Sequence, residues 1–116
     1  MAALVSEGDD LVLRLSPWEK LGAVHGDVRV PLGAVEDVAV TRAPFDDLRG
    51  IRAPGGAWPR RFALGTWRYR GGKDFVALYR RRPAVIVRLR DAPYRRLIVC
   101  ADDADATAER IRSLVA

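Results

Sequence analysis

Residues 61–89 read RFALGTWRYRGGKDFVALYRRRPAVIVRL, and this stretch decides the fold. Phe62 to Tyr69 and Asp74 to Arg80 are runs of strand-forming residues joined by Gly71-Gly72, and Ala84 to Leu89 is a third run. A two-residue type I′ turn needs positive φ at both central positions, which glycine adopts without strain, so the glycine pair predicts a β-hairpin. Centring the turn on the two glycines pairs Arg70 with Lys73, Arg68 with Phe75, Thr66 with Ala77 and Leu64 with Tyr79 on one face. Tyr69 with Asp74, Trp67 with Val76 and Gly65 with Leu78 fall on the other. Turning the Trp67, Val76, Leu78 face inward leaves Leu64, Phe75 and Tyr79 outside, beside Arg68, Arg70 and Lys73. In the next strand, Val85, Val87 and Leu89 turn inward and Ile86, Arg88 and Arg90 outward.

Working toward the N-terminus, the chain becomes irregular between Ala43 and Arg60, where Pro44, Gly50, Pro54, Gly55-Gly56 and Pro59 read as a long loop with at most one helical turn at Phe45 to Leu48. Loops of that length inside a compact domain are usually functional, which singles out Ile51, Arg52 and Trp58 as a candidate loop site. Ala34 to Arg42 reads as a strand, with Val38 and Val40 on one face and Val35 marking a bulge. Val28 to Val30 is a short strand stopped by Pro31. Ser16-Pro17-Trp18-Glu19 is a helix start, with Ser16 as N-cap, proline at the first helical position and Glu19 completing a capping box. Asp10 to Leu15 alternates as a half-buried strand.

Toward the C-terminus, Arg96 to Cys100 is a further strand. Asp102 or Asp103 then caps a helix whose Ala104, Ala108, Ile111 and Val115 share one face. Seven strands and a closing helix fit one domain spanning residues 1–116. The N-terminus has neither the basic start nor the apolar core of a signal peptide, and no apolar run is long enough to cross a bilayer, so the expected location is cytoplasmic, with peripheral membrane attachment as the variant.

Charge is concentrated. The chain carries net charge +5, yet residues 60–101 alone hold 12 basic and 2 acidic side chains, whereas both flanking segments are net acidic. Arginine supplies 18 of the 20 basic residues, a bias that a GC-rich genome also produces, so position carries more information than the total.

Element order brings a resemblance into view. Seven strands closed by a C-terminal helix resemble the pleckstrin-homology-like (PH-like) proteins of bacteria. Ser16-Pro17-Trp18-Glu19-Lys20, residues 25–31, Leu64-Gly65-Thr66, residues 70–75 and Pro83-Ala84-Val85 are similar to stretches of actinobacterial members. The resemblance implies a mainly β fold: a seven-stranded bent antiparallel barrel or sandwich, capped by the C-terminal helix, with a short helix after the first strand. It also implies a binding module rather than an enzyme. The basic signature that phosphoinositide-binding members carry after the first strand is replaced here by Arg14, Lys20 and Arg29, interspersed with Glu19 and Asp27.

Catalytic patterns are absent from the chain. His25 is the single histidine and Cys100 the single cysteine, which leaves nothing from which to build a histidine-based triad or a cysteine-rich metal site. Asp103-Ala104-Asp105-Ala106-Thr107 mimics a phosphatase nucleophile loop, but too little chain follows to supply the partners that chemistry needs, and helix capping accounts for the acids. No cofactor or metal is expected.

The leading expectation is therefore a non-enzymatic interaction module, with a protein partner or a second copy bound through Leu64, Arg68, Arg70, Lys73, Phe75, Tyr79, Ile86, Arg88 and Arg90. An anionic membrane surface contacted by the basic 60–96 region is the alternative; each basic residue contributes about 1 kcal/mol there. Nucleic acid is disfavoured for lack of a recognition motif. A small molecule is disfavoured too, being admitted only as a ligand under a lid formed by residues 43–60.

Overall fold

The computed structural model describes residues 2–58 and 61–115, with residues 51–55, 57 and 58 described by their backbone alone. Among the described residues, nine strands and two helices follow in the order β1 (Ala3–Glu7), β2 (Asp10–Arg14), α1 (Pro17–Ala23), β3 (Val28–Pro31), β4 (Val35–Thr41), β5 (Ile51–Trp58), β6 (Phe62–Tyr69), β7 (Gly72–Tyr79), β8 (Ala84–Leu89), β9 (Arg96–Cys100) and α2 (Ala104–Val115). Short 3-10 turns precede β4 and β5. The fold is mainly β, in two sheets, and neither closes into a barrel.

The smaller sheet has the order β1-β2-β3 and the larger β4-β8-β9-β7-β6-β5. Leu4, Leu11, Leu13, Leu15, Val28 and Val30 on the smaller sheet meet Leu64, Phe75, Ala77, Val85, Val87 and Leu97 on the larger, and this apolar layer is the main core. Helix α2 contributes Ala104, Ala108 and Ile111 to it, as the apolar spacing predicts, while Val115 stays exposed. Asp103 caps α2, its carboxylate accepting from the Ala106 N–H at 2.9 Å. Two arginines of α2 also reach backbone carbonyls, Arg110 that of Leu4 in β1 at 2.6 Å and Arg112 that of Val38 in β4 at 2.8 Å. The helix thus bridges an edge strand of each sheet.

The hairpin forms, but its turn is displaced by one residue. Tyr69 faces Gly72 and Arg68 faces Lys73, so Arg70 and Gly71 occupy the turn. Gly71 has φ of 102° and Arg70 is not in the positive-φ region, which excludes a type I′ turn, where both would be positive. The expected face assignment is also corrected. Leu64 and Phe75, expected outside, are both 0% exposed, and Tyr79 is half-buried. The reason is that the six-stranded sheet is covered on both sides: the Leu64–Phe75 face packs on the smaller sheet, and Ala63, Trp67, Val76, Leu78, Ile98 and Cys100 form a second apolar cluster behind it. A strand apolar on both faces leaves periodicity no basis for choosing between them. In β8 the expected inward face holds, with Val85, Val87 and Leu89 buried and Arg88 exposed, but Ile86, expected outside, is half-buried against the second cluster.

Three further expectations change. An extra strand, β1, precedes the first one expected. The loop read across residues 43–60 instead contains β5, whose register slips between Arg52 and Gly55, around Pro54; proline is tolerated because β5 is an edge strand. The larger sheet is mixed rather than antiparallel, since β7 and β9 run parallel.

Strands β4 and β5 are consecutive in sequence yet lie at opposite edges of the six-stranded sheet. Residues 42–50 must therefore cross it. Five inter-strand spacings amount to about 24 Å in a flat sheet, and a segment of this length with one 3-10 turn reaches about 25 Å. This strap carries Pro44, Phe45 and Leu48, and the last two pack on the second apolar cluster.

Candidate anion-binding site

One buried carboxylate anchors the strap. Asp74, 1% exposed in β7, accepts from Arg96 in β9 (Nη2 at 2.7 Å, Nε at 2.9 Å), from Arg49 Nε at 3.2 Å and from the Tyr69 hydroxyl at 2.6 Å. Arg96 also donates to the Asp47 carbonyl at 2.8 Å, and Arg49 donates to the Tyr69 oxygen at 2.6 Å while its guanidinium lies 4.1 Å from the Tyr69 ring centre. Burial raises the pKa of Tyr69 above its ordinary value, and donation to Asp74 raises it further, against the opposing pull of Arg49. For Arg49, burial acts to lower the pKa, but Asp74 outweighs it and the net shift is upward. Both arginines are held on the one Asp74 carboxylate.

Around this anchor lies a hollow of about 350 Å³, lined by Glu36, Arg49, Tyr69, Arg70, Gly71, Arg88, Leu89, Arg95 and Arg96. Five arginines line it, against one acid, Glu36, with the Asp74 carboxylate bonded to two of them. Arg95 lies over the hairpin turn, its Nε donating to the Gly71 carbonyl at 3.2 Å. A Cβ at Gly72 would stand 2.6 Å from Arg95 Cγ, so glycine there makes room for the arginine. Arg70 and Arg88 are exposed and have no acidic partner among the described residues. Arg88 also sits directly opposite Arg96 in the β8–β9 ladder, and like charges in that relation repel. An anion between them converts that repulsion into attraction. Several convergent guanidinium groups, some held and some free to swing, suit the charge and oxygen geometry of a phosphate group.

Of the residues singled out from sequence, the structure brings Arg70 and Arg88 into this hollow. Arg68, Lys73 and Arg90 do not line it: Arg68 and Lys73 form a cross-strand pair, Lys73 lies 4.9 Å from the ring centre of Tyr94, and Arg90 follows the end of β8. Ile86 is half-buried against the second apolar cluster. Leu64 and Phe75 belong to the core, and the Tyr79 hydroxyl donates to Glu19. The side chains of Ile51, Arg52 and Trp58 lie outside the described residues.

Sequence reasoning missed Arg49, Arg95, Arg96 and Asp74. A signal was present in Asp74, one of only two acids within residues 60–101, set at the head of the apolar run Phe75 to Tyr79, where a buried carboxylate needs a cationic partner.

The acids that mimic a phosphatase loop have structural roles, Asp103 capping α2 and Asp105 pairing with Arg42 at 2.7 Å, and the neighbouring Asp102 pairs with Arg82 at 2.6 Å. Among the described residues no group of three or more His, Cys, Asp or Glu side chains is placed to hold a metal. No described helix is long and apolar enough to cross a membrane. Comparison with protein-family models, curated proteins and solved structures finds no match to this chain.

Proposed function

We propose that this protein is a non-enzymatic binding module whose ligand is a phosphate-bearing anion held in the hollow between the β6–β7 turn, β8, β9 and the strap. The observation that carries the reading is the convergence of five arginines on one concavity, with Arg88 and Arg96 directly opposed across two strands. A PH-like reading of the fold is compatible with a binding role and adds no ligand. Leu64 and Phe75 are core residues and present no surface to a second copy.

The ligand's phosphate is presented either by a soluble ester or by a lipid headgroup. Glycerol 3-phosphate in solution and vesicles containing phosphatidic acid share that chemistry and separate the two sources. Titration calorimetry of the full chain is expected to give saturable binding to the ester that weakens with added salt. Arg88→Ala is expected to lower the affinity about tenfold, the loss of one charge-assisted contact. Binding to vesicles alone, with the same dependence on Arg88, assigns the headgroup as the source. No binding to either probe, or binding indifferent to Arg88, overturns the proposal.

A further inference from the structure

Helix α1 is packed inside out. A surface helix ordinarily turns its large apolar residues toward the core; here the inward face carries Glu19, Gly22 and Ala23, while Trp18, Leu21 and Val24 are 54%, 78% and 66% exposed. Gly22 is what lets the helix lie this close to the sheet, since a Cβ there would stand 2.9 Å from Leu64 Cδ1. The three exposed residues recur at i, i+3 and i+6, on one stripe.

Val24 adds an independent observation. It caps the helix with φ of 54° and ψ of 45°, the left-handed conformation that glycine adopts freely and that is a genuine outlier for a β-branched residue. Its side chain gains little burial in return for that strain. A strained residue retained at such a cost is a pointer to function.

The charge beside the stripe indicates what covers it. Trp18 packs edge-on against Phe62, ring centres 5.7 Å apart. Phe62 adjoins Arg61, whose carbonyl accepts from the Arg80 N–H at 2.9 Å, and Arg81 follows. Arg61, Arg80 and Arg81 are exposed and have no acidic partner among the described residues. All three line a second hollow with Pro44 and Phe45. Arg81 is itself held at φ of 60°, in the turn between β7 and β8. An exposed apolar stripe whose Trp18 end reaches the strand end that carries unpaired arginines has the composition that sits at the headgroup level of an anionic bilayer.

The geometry points to a membrane-docking edge in which Trp18, Leu21 and Val24 enter the interface of an anionic bilayer and Arg61, Arg80 and Arg81 contact its headgroups. This edge shares no residue with the hollow around Asp74, so either site can fail without the other.

The test is flotation of the full chain with phosphatidylcholine vesicles, with and without 30% phosphatidylglycerol, at low and high salt. Binding is expected only to the anionic vesicles and is expected to fall with salt. Leu21→Glu, at an exposed position, should weaken it about tenfold without changing the thermal midpoint. Val24→Gly separates docking from folding, because it should raise the midpoint while weakening vesicle binding. Absence of binding to anionic vesicles overturns the inference, as does binding unaffected by Leu21→Glu. A concentration-dependent dimer that Leu21→Glu dissolves, with no vesicle binding, overturns it in favour of a second copy on the stripe.

Discussion

At the scale of single residues, Glu19 shows how a helix cap becomes a core element. It is fully buried, and its carboxylate accepts from the N–H groups of Ala2 and Ser16, both at 2.8 Å, and from the Tyr79 hydroxyl. Burial alone would raise its pKa; the hydrogen bond from Tyr79 and those from the backbone outweigh it, and the net shift is below the ordinary 4.5. A carboxylate with a depressed folded pKa stabilises fully above its unfolded pKa and loses that stabilisation as pH falls through the folded value. Denaturant titrations should therefore show wild-type stability declining below about pH 4.5, with a shallower decline in Glu19→Gln. Glu19→Ala leaves three donors without their acceptor and should cost about 3 kcal/mol at neutral pH. A cost under about 1 kcal/mol would remove Glu19 from this role. Asp74 makes the same kind of prediction in the hollow, because Asp74→Asn weakens the hold on two guanidinium groups and should cost about 2 to 3 kcal/mol of stability.

Among the elements, α2 ties the two sheets together, while the strap covers the far side of the larger one. Arg110 and Arg112 each donate to a carbonyl of a different sheet, so Arg110→Ala and Arg112→Ala should each cost about 1 to 2 kcal/mol in equilibrium unfolding; a neutral pair of substitutions would contradict the bridging role. Gly72→Ala tests the hairpin turn differently. The added methyl meets Arg95 at Cγ, near the root of a side chain whose backbone is hydrogen-bonded to Lys73 and Leu89, so it should displace Arg95, weaken anion binding and lower the unfolding midpoint together. The capped helices and the inward face of β8 were legible because their signals are local: Ser16 and Glu19 form the expected capping box, and Val85, Val87 and Leu89 alternate with an exposed Arg88. Strands β6 and β7 were legible as strands but not as faces, since both their sides are apolar. Strand β5 was hidden by its proline and glycines, which an edge position tolerates and a local reading takes for a loop.

For the molecule as a whole, topology turns a dispersed set of arginines into a site. Residues 42–50 bring Arg49 across the six-stranded sheet to Arg96 and Asp74, and the displaced turn sets Arg70 and Gly71 at the rim beside Arg95. The charge bias of residues 60–101 was legible in the sequence; the convergence was not, because it depends on a strap linking opposite sheet edges and on a parallel β7–β9 pair. The central claim is that one hollow, rather than diffuse positive charge, captures the anion. Its most direct measurement follows the arginine Nε–Hε resonances by NMR during titration of the full chain with glycerol 3-phosphate at low salt. The account predicts that Arg49, Arg70, Arg88, Arg95 and Arg96 shift together along one saturable curve, while Arg14 and Arg29, paired with acids on the three-stranded sheet, stay in place. Small, unsaturable shifts spread evenly over all the arginines would contradict it.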